Sequence, residues 1–196
     1  MSERSTQSSS PPSPGPAWLR RRGMHLLAAA LLCLLWLDNA GAAYRSRYVG
    51  RLIYTSVEDL QEFNDNLRLT RQLSAMVAQK QPATIEEEVL AKLDIIIEKV
   101  EVVLDMFPNN LAISFHILPD RRAVSSVYRQ KYNKQVDYLA YYSLSEDTVY
   151  FSAYDATIRV VAHEIAHAVI DHFFQVRPPY NMHELMAQFA EKHVTD

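Results

Sequence analysis

The chain has 196 residues, room for one modest domain with extensions, and a formal net charge of −3. Its single cysteine excludes a disulfide framework, and four glycines leave little scope for a phosphate-cradling loop. The mildly acidic balance argues against nucleic acid or an anionic membrane surface as a partner.

Residues 1–16 are rich in Ser and Pro and read as a disordered leader. Arg20-Arg21-Arg22 then precede an apolar run of twelve residues, Leu26 to Leu37, followed by Ala40-Gly41-Ala42. Basic, apolar and small residues in that order describe a secretory signal peptide, and the run is short for a bilayer span. The expectation is therefore export, periplasmic or secreted in a bacterium, with no stable membrane span after cleavage. An uncleaved membrane anchor is the alternative. Cys33 lies inside the apolar run behind Leu31 and Leu32, which does not fit a lipid-acylated cysteine. Cleavage after Ala42 removes four basic and two acidic groups, leaving 16 against 21 and a net charge of −5.

The rest divides into an N-terminal arm and helix (43–82) and a main domain (83–196). Tyr48 to Tyr54 reads as a short extended arm. Ser56-x-x-Asp59 resembles a capping box and starts a helix to about Gln79, with Leu60, Phe63, Leu67, Leu73 and Val77 along one side. Thr84 can cap the next helix, whose Ile85, Val89, Leu93, Ile96, Val100, Val103 and Phe107 step by three or four residues. Pro108-Asn109-Asn110 stops it. A strand follows over Leu111–Leu118, with His116 facing the surface, then a helix from Pro119 to about Tyr132 with a basic solvated face. Strands at Val136–Ser143 and Thr148–Ser152, joined by Leu144-Ser145-Glu146-Asp147, predict a β-hairpin whose tyrosines suit strand packing. Asp155 is the expected N-cap of the next helix.

That helix carries His163-Glu164-x-x-His167 among Ile158, Val161, Ile165, Val169 and Ile170. Residues four apart share a helix face, so His163 and His167 can direct two imidazole nitrogens at one metal ion. Glu164 lies beside them, placed to take a proton from a metal-bound water. Burying these three groups without partners is costly, which favours a metal over a polar stripe. Catalytic zinc takes three protein ligands and leaves one position open. After the Arg177-Pro178-Pro179 turn a second helix begins near Asn181, and Glu184 on it is the expected third ligand. Glu191, on nearly the same face, is the runner-up.

These residues resemble the gluzincin metallopeptidases, with His-Glu-x-x-His on one helix and a glutamate ligand on the next. Glu184-Leu185-Met186-Ala187-Gln188-Phe189-Ala190-Glu191 is similar to the glutamate helix of the aminopeptidase branch. The resemblance covers roughly residues 136–194, and the sixteen residues between His167 and Glu184 are slightly fewer than in larger members. The family often has Asn before the glutamate ligand and, in some branches, Asp four residues after it. This chain has His183 and Gln188 there, leaving the outer partners of the two histidines unassigned. The resemblance implies a zincin-like α+β fold: a small mixed sheet with an edge strand, a backing helix near 84–107, an active-site helix and a glutamate helix. It also implies that Thr148–Ser152 is the edge strand that receives an extended substrate.

The expected activity is zinc-dependent hydrolysis of peptide or protein substrates. Zinc is held by His163, His167 and Glu184, with Glu164 as general base and acid. Tyr180 is the first candidate to steady the oxyanion, ahead of His172, His183 and His193; a turn tyrosine packed on Pro178 and Pro179 is its structural alternative. The rival reading is a non-catalytic zinc-containing binding or assembly protein of the same fold, which has no need of Glu164 as a base. A metal-free helical adaptor built on residues 56–107 is a third, weaker reading.

Overall fold

A computed structural model describes residues 44–196; the leader, the apolar run and Cys33 lie outside the described residues. Among the described residues the chain is α+β, with six α-helices and one small mixed sheet. The elements in order are β1 (Val49–Tyr54), α1 (Val57–Asn66), α2 (Arg71–Gln79), α3 (Ile85–Leu104) and β2 (Ile113–Leu118). There follow α4 (Arg121–Tyr132), β3 (Ala140–Ser143), a 3-10 turn (Leu144–Glu146), β4 (Thr148–Ser152), α5 (Ile158–Phe173) and α6 (Tyr180–His193). The strand order is β1-β2-β4-β3; β1, β2 and β4 are parallel, and β3 returns antiparallel to β4. No helix among the described residues is long and apolar enough to cross a membrane.

α3 is the scaffold of the core. The Thr84 hydroxyl accepts from the Glu87 N–H at 3.2 Å, while the Glu87 carboxylate accepts from the Ala83 N–H, a reciprocal cap. Glu86, Glu87 and Glu88 place negative charge at the positive end of the helix dipole. Its Val89, Leu93, Ile96, Ile97 and Val100 are fully buried in one cluster with Phe63, Phe115, Phe151, Val161, Ile165 and Val169. The helix ends at Asp105, whose left-handed φ of 53° turns the chain so that the Met106 N–H donates back to the Glu101 carbonyl at 3.0 Å.

The structure departs from the sequence expectations in several elements. The arm at 48–54 is a strand, paired in parallel with β2. The single helix expected over 56–79 is two, because Leu67 turns into the main core while Leu73 and Val77 pack on a separate patch with Ala91 and Ile95. A fresh cap at Thr70 starts the second. Of the strand expected over 136–143 only 140–143 pairs with β4; Tyr138 instead turns its ring onto Tyr128 and Tyr141, and Asp137 beside it is exposed. β4 is an interior strand, not the edge. All five of its residues are buried, Val149 and Phe151 toward α3 and α5 and Tyr150 toward α4. β3 is the edge that lies beside α5.

Phe151 joins the layers, with its ring 5.6 Å from Phe63 on α1 and 6.1 Å from Phe115 on β2. Phe151→Ala should lower the free energy of unfolding by about 3–5 kcal/mol. Val57→Ala, at an exposed position, should change it by less than about 0.5 kcal/mol. Urea denaturation followed by circular dichroism checks both, and equal effects would show that the Phe63–Phe115–Phe151 cluster is not the core it is taken for.

Candidate metal centre

α5 starts at Thr157, whose hydroxyl accepts from the Val160 N–H at 3.3 Å. The cap expected at Asp155 is absent because that carboxylate is already engaged: it accepts from the Ser152 hydroxyl at 2.7 Å and pairs with Arg121 at 3.2 Å. One side of α5 carries the core residues Val161, Ala162, Ile165, Ala166, Ala168, Val169 and Ile170. His163, His167 and Asp171, spaced four apart, form a polar stripe along the helix. α6 packs beside it through the small residues Ala187 and Ala190, which are fully buried and permit close approach. Its inner face presents His183, Glu184 and, two turns later, Glu191.

His163, His167 and Glu184 converge. The Nε2 atoms of the two histidines are 3.2 Å apart, and Glu184 Oε1 lies 3.0 Å from His163 Nε2 and 3.9 Å from His167 Nε2. Donors around a tetrahedral zinc with bonds of roughly 2.0–2.1 Å are about 3.3 Å apart, so the three atoms fit one ion. Glu191, the alternative ligand, is used elsewhere: its Oε2 is 3.0 Å from the opposite nitrogen of His163, Nδ1.

The outer contacts fix the tautomers. Glu191 is an acceptor, so His163 donates from Nδ1 and keeps its Nε2 lone pair toward the centre. His183 donates from Nε2 to Asp171 Oδ1 at 3.1 Å, leaving its Nδ1 to accept from His167 Nδ1 at 2.7 Å. His167 Nε2 is then also a free lone pair. Burial is the main cause that lowers the His167 pKa to about 3, so the ring stays neutral as a ligand requires. His183, a sequence candidate for the oxyanion, is instead almost fully buried in this chain of contacts.

Two other histidines leave the candidate set. His172 sits 2.9 Å from Asp147, which also accepts from the Tyr142 hydroxyl, and together they tie the β3–β4 turn to the end of α5. His193 packs against Phe189 and pairs with Asp196 at 2.5 Å at the far end of α6.

The centre opens into a cleft of about 430 Å³ whose walls include Glu164, Tyr138, Tyr142, Arg177 and Tyr180. Comparison with protein-family models, with curated proteins and with solved structures finds no match. The chemistry therefore rests on these side chains alone. Burial raises the Glu164 carboxyl to about 7, although the Tyr142 backbone N–H donates to it. Tyr180 stands at the rim, largely exposed, with its hydroxyl toward Glu184, whose charge raises the phenol's pKa. It does not pack away against Pro178 and Pro179.

Tyr138, read from the sequence as a strand residue, lies in the irregular segment before β3 and lines the same cleft. Nothing in its local pattern distinguishes it. Asp171 was more accessible to sequence reasoning, since it continues the His163–His167 spacing by one more turn.

Proposed function

We propose that this domain is a zinc-dependent hydrolase, and a peptidase in its reaction, with a compact gluzincin-like arrangement. The observation that carries the reading is the convergence of His163 Nε2, His167 Nε2 and Glu184 Oε1 at one end of a cleft that also contains Glu164. His163, His167 and Glu184 would hold the ion, which would supply a Lewis acid and lower the pKa of water toward neutrality. Glu164 takes the proton of the attacking water and returns it to the departing amine. Its raised affinity for a proton suits both steps. Tyr180 donates a hydrogen bond to the substrate carbonyl oxygen as negative charge develops there, with Tyr138 across the cleft as a second donor. The outer edge of β3, apart from the Tyr142 N–H that Glu164 holds, is where an extended peptide would pair.

A metal site without chemistry would not need a carboxylate beside the ligands, and Glu164 is the feature that favours an enzyme over a zinc-containing binding protein. The leader at 1–42 adds export to the proposal. The test is to measure zinc in the purified protein and to expose it to a mixed peptide library. One zinc per chain with library cleavage abolished by chelation and restored by zinc is the expected result. Chelation that removes the zinc and leaves cleavage unchanged would overturn the reading.

A further inference from the structure

Arg177 is the only lysine or arginine among the described residues that line the cleft. Its Nε lies 3.0 Å from Asp171 Oδ1, so one end of the guanidinium is held by a nearly buried carboxylate that His183 also contacts. Among the described residues its terminal nitrogens make no hydrogen bond and Arg177 has no ion-pair partner besides Asp171, and the side chain is half exposed. Arg177 therefore has spare donors beside the candidate metal ligands. Pro178 restricts the backbone of Arg177 to extended conformations, which lowers the entropy lost on binding a partner.

The rest of the cleft makes this charge conspicuous. Glu164 and Glu184 are acidic, and the remaining walls are mostly tyrosine, with Ala140 and Leu144. A neutral peptide segment needs no cation there, whereas a planar guanidinium matches a carboxylate in paired hydrogen bonds. At about 430 Å³ the cleft holds only a few residues, so a carboxylate bound at Arg177 is close to the scissile bond.

The geometry points to Arg177 as the anchor for a substrate carboxylate, making peptides with a carboxylate a few residues from the cleaved bond the substrate class. This rests on the peptidase reading and narrows it. The carboxylate has two sources, the peptide's own C-terminus or an Asp or Glu side chain. A purely structural Arg177, present only to neutralise Asp171, predicts no such preference.

The experiment takes a peptide cleaved in the library and prepares it in three forms: free C-terminal acid, C-terminal amide, and amide carrying one Asp near that end. Cleavage by the zinc-loaded protein is compared with binding to zinc-loaded Glu164→Gln by calorimetry. One acid form should be favoured over the plain amide by about 10- to 100-fold in both readouts, the span of a charged hydrogen bond. Which acid form wins identifies the source. Arg177→Gln should reduce that preference toward one, chiefly through KM, and Arg177→Lys should retain part of it. Zinc content of each variant is checked. If Arg177→Gln does not fold, the wild-type preference and Arg177→Lys decide.

Equal cleavage and equal binding of all three forms would overturn the carboxylate anchor and leave the peptidase reading standing. A preference that survives intact in zinc-loaded Arg177→Gln would overturn it too. A zinc-loaded protein that cleaves nothing in the library would overturn the peptidase reading and this inference together.

Discussion

Glu164→Gln is expected to keep one zinc per chain and the wild-type fold while peptide hydrolysis falls by about 10²–10⁴-fold, the usual contribution of general acid–base catalysis. The amide has nearly the size of the carboxylate and can still accept from the Tyr142 backbone N–H. It cannot take up a proton. Glu164 follows His163 directly on α5, yet the three convergent donors belong to His163, His167 and Glu184. Metal content should therefore be insensitive to the change, which separates loss of chemistry from loss of the ion. Cleavage of one library-derived peptide is measured for both proteins, with zinc quantified in the same samples. Equal rates would remove Glu164 from the mechanism, and a zinc-free variant would make it a supporting part of the metal site.

Sequence pattern served best where one element meets one environment. The stripe Val89, Leu93, Ile96 and Val100 of α3 could be read directly from its period of three to four residues, and its Thr84 cap with it; the second buried face at Ala91 and Ile95 could not, and Phe107, expected on the stripe, lies past the end of the helix and is exposed. The Glu184 carboxylate reaches both histidines because α5 and α6 run side by side, a pairing that the short proline turn already implied. The failures have a common physical source. Leu67 and Leu73 lie on one continuous apolar pattern, but they pack on two different patches, and nothing local tells where the chain must turn between them. β4 was expected at the edge because the resemblance equated the strand before α5 with a substrate-binding edge strand. Its rank in the sheet is set by β2 on one side and β3 on the other, which are contacts between distant residues. Asp155 was the better cap by residue type, and it lost that position to Thr157 through a non-local partner, Arg121. The same applies to the outer contacts of the candidate metal site: His183 and Glu191 could be seen as polar residues on α6, but not which ring nitrogen each would meet.

Those nitrogens determine the second large effect. Glu184→Ala removes an oxygen that lies 3.0 and 3.9 Å from the two Nε2 atoms, leaving two protein donors where catalytic zinc uses three. Glu191→Ala removes only the acceptor at His163 Nδ1. Loss of an outer partner typically costs about 10- to 100-fold in metal affinity, so Glu191→Ala should weaken zinc by that order and Glu184→Ala by more than about 100-fold. His163→Ala and His167→Ala should resemble Glu184→Ala. His183→Ala belongs with Glu191→Ala in affinity, but it also leaves the buried Asp171 with Arg177 as its remaining partner, so it should cost stability as well. Titration of each variant against a chelator of known zinc affinity gives the order. If Glu191→Ala strips the ion while Glu184→Ala retains it, the ligand and the outer partner have been exchanged, and the glutamate two turns further along α6 is the third ligand.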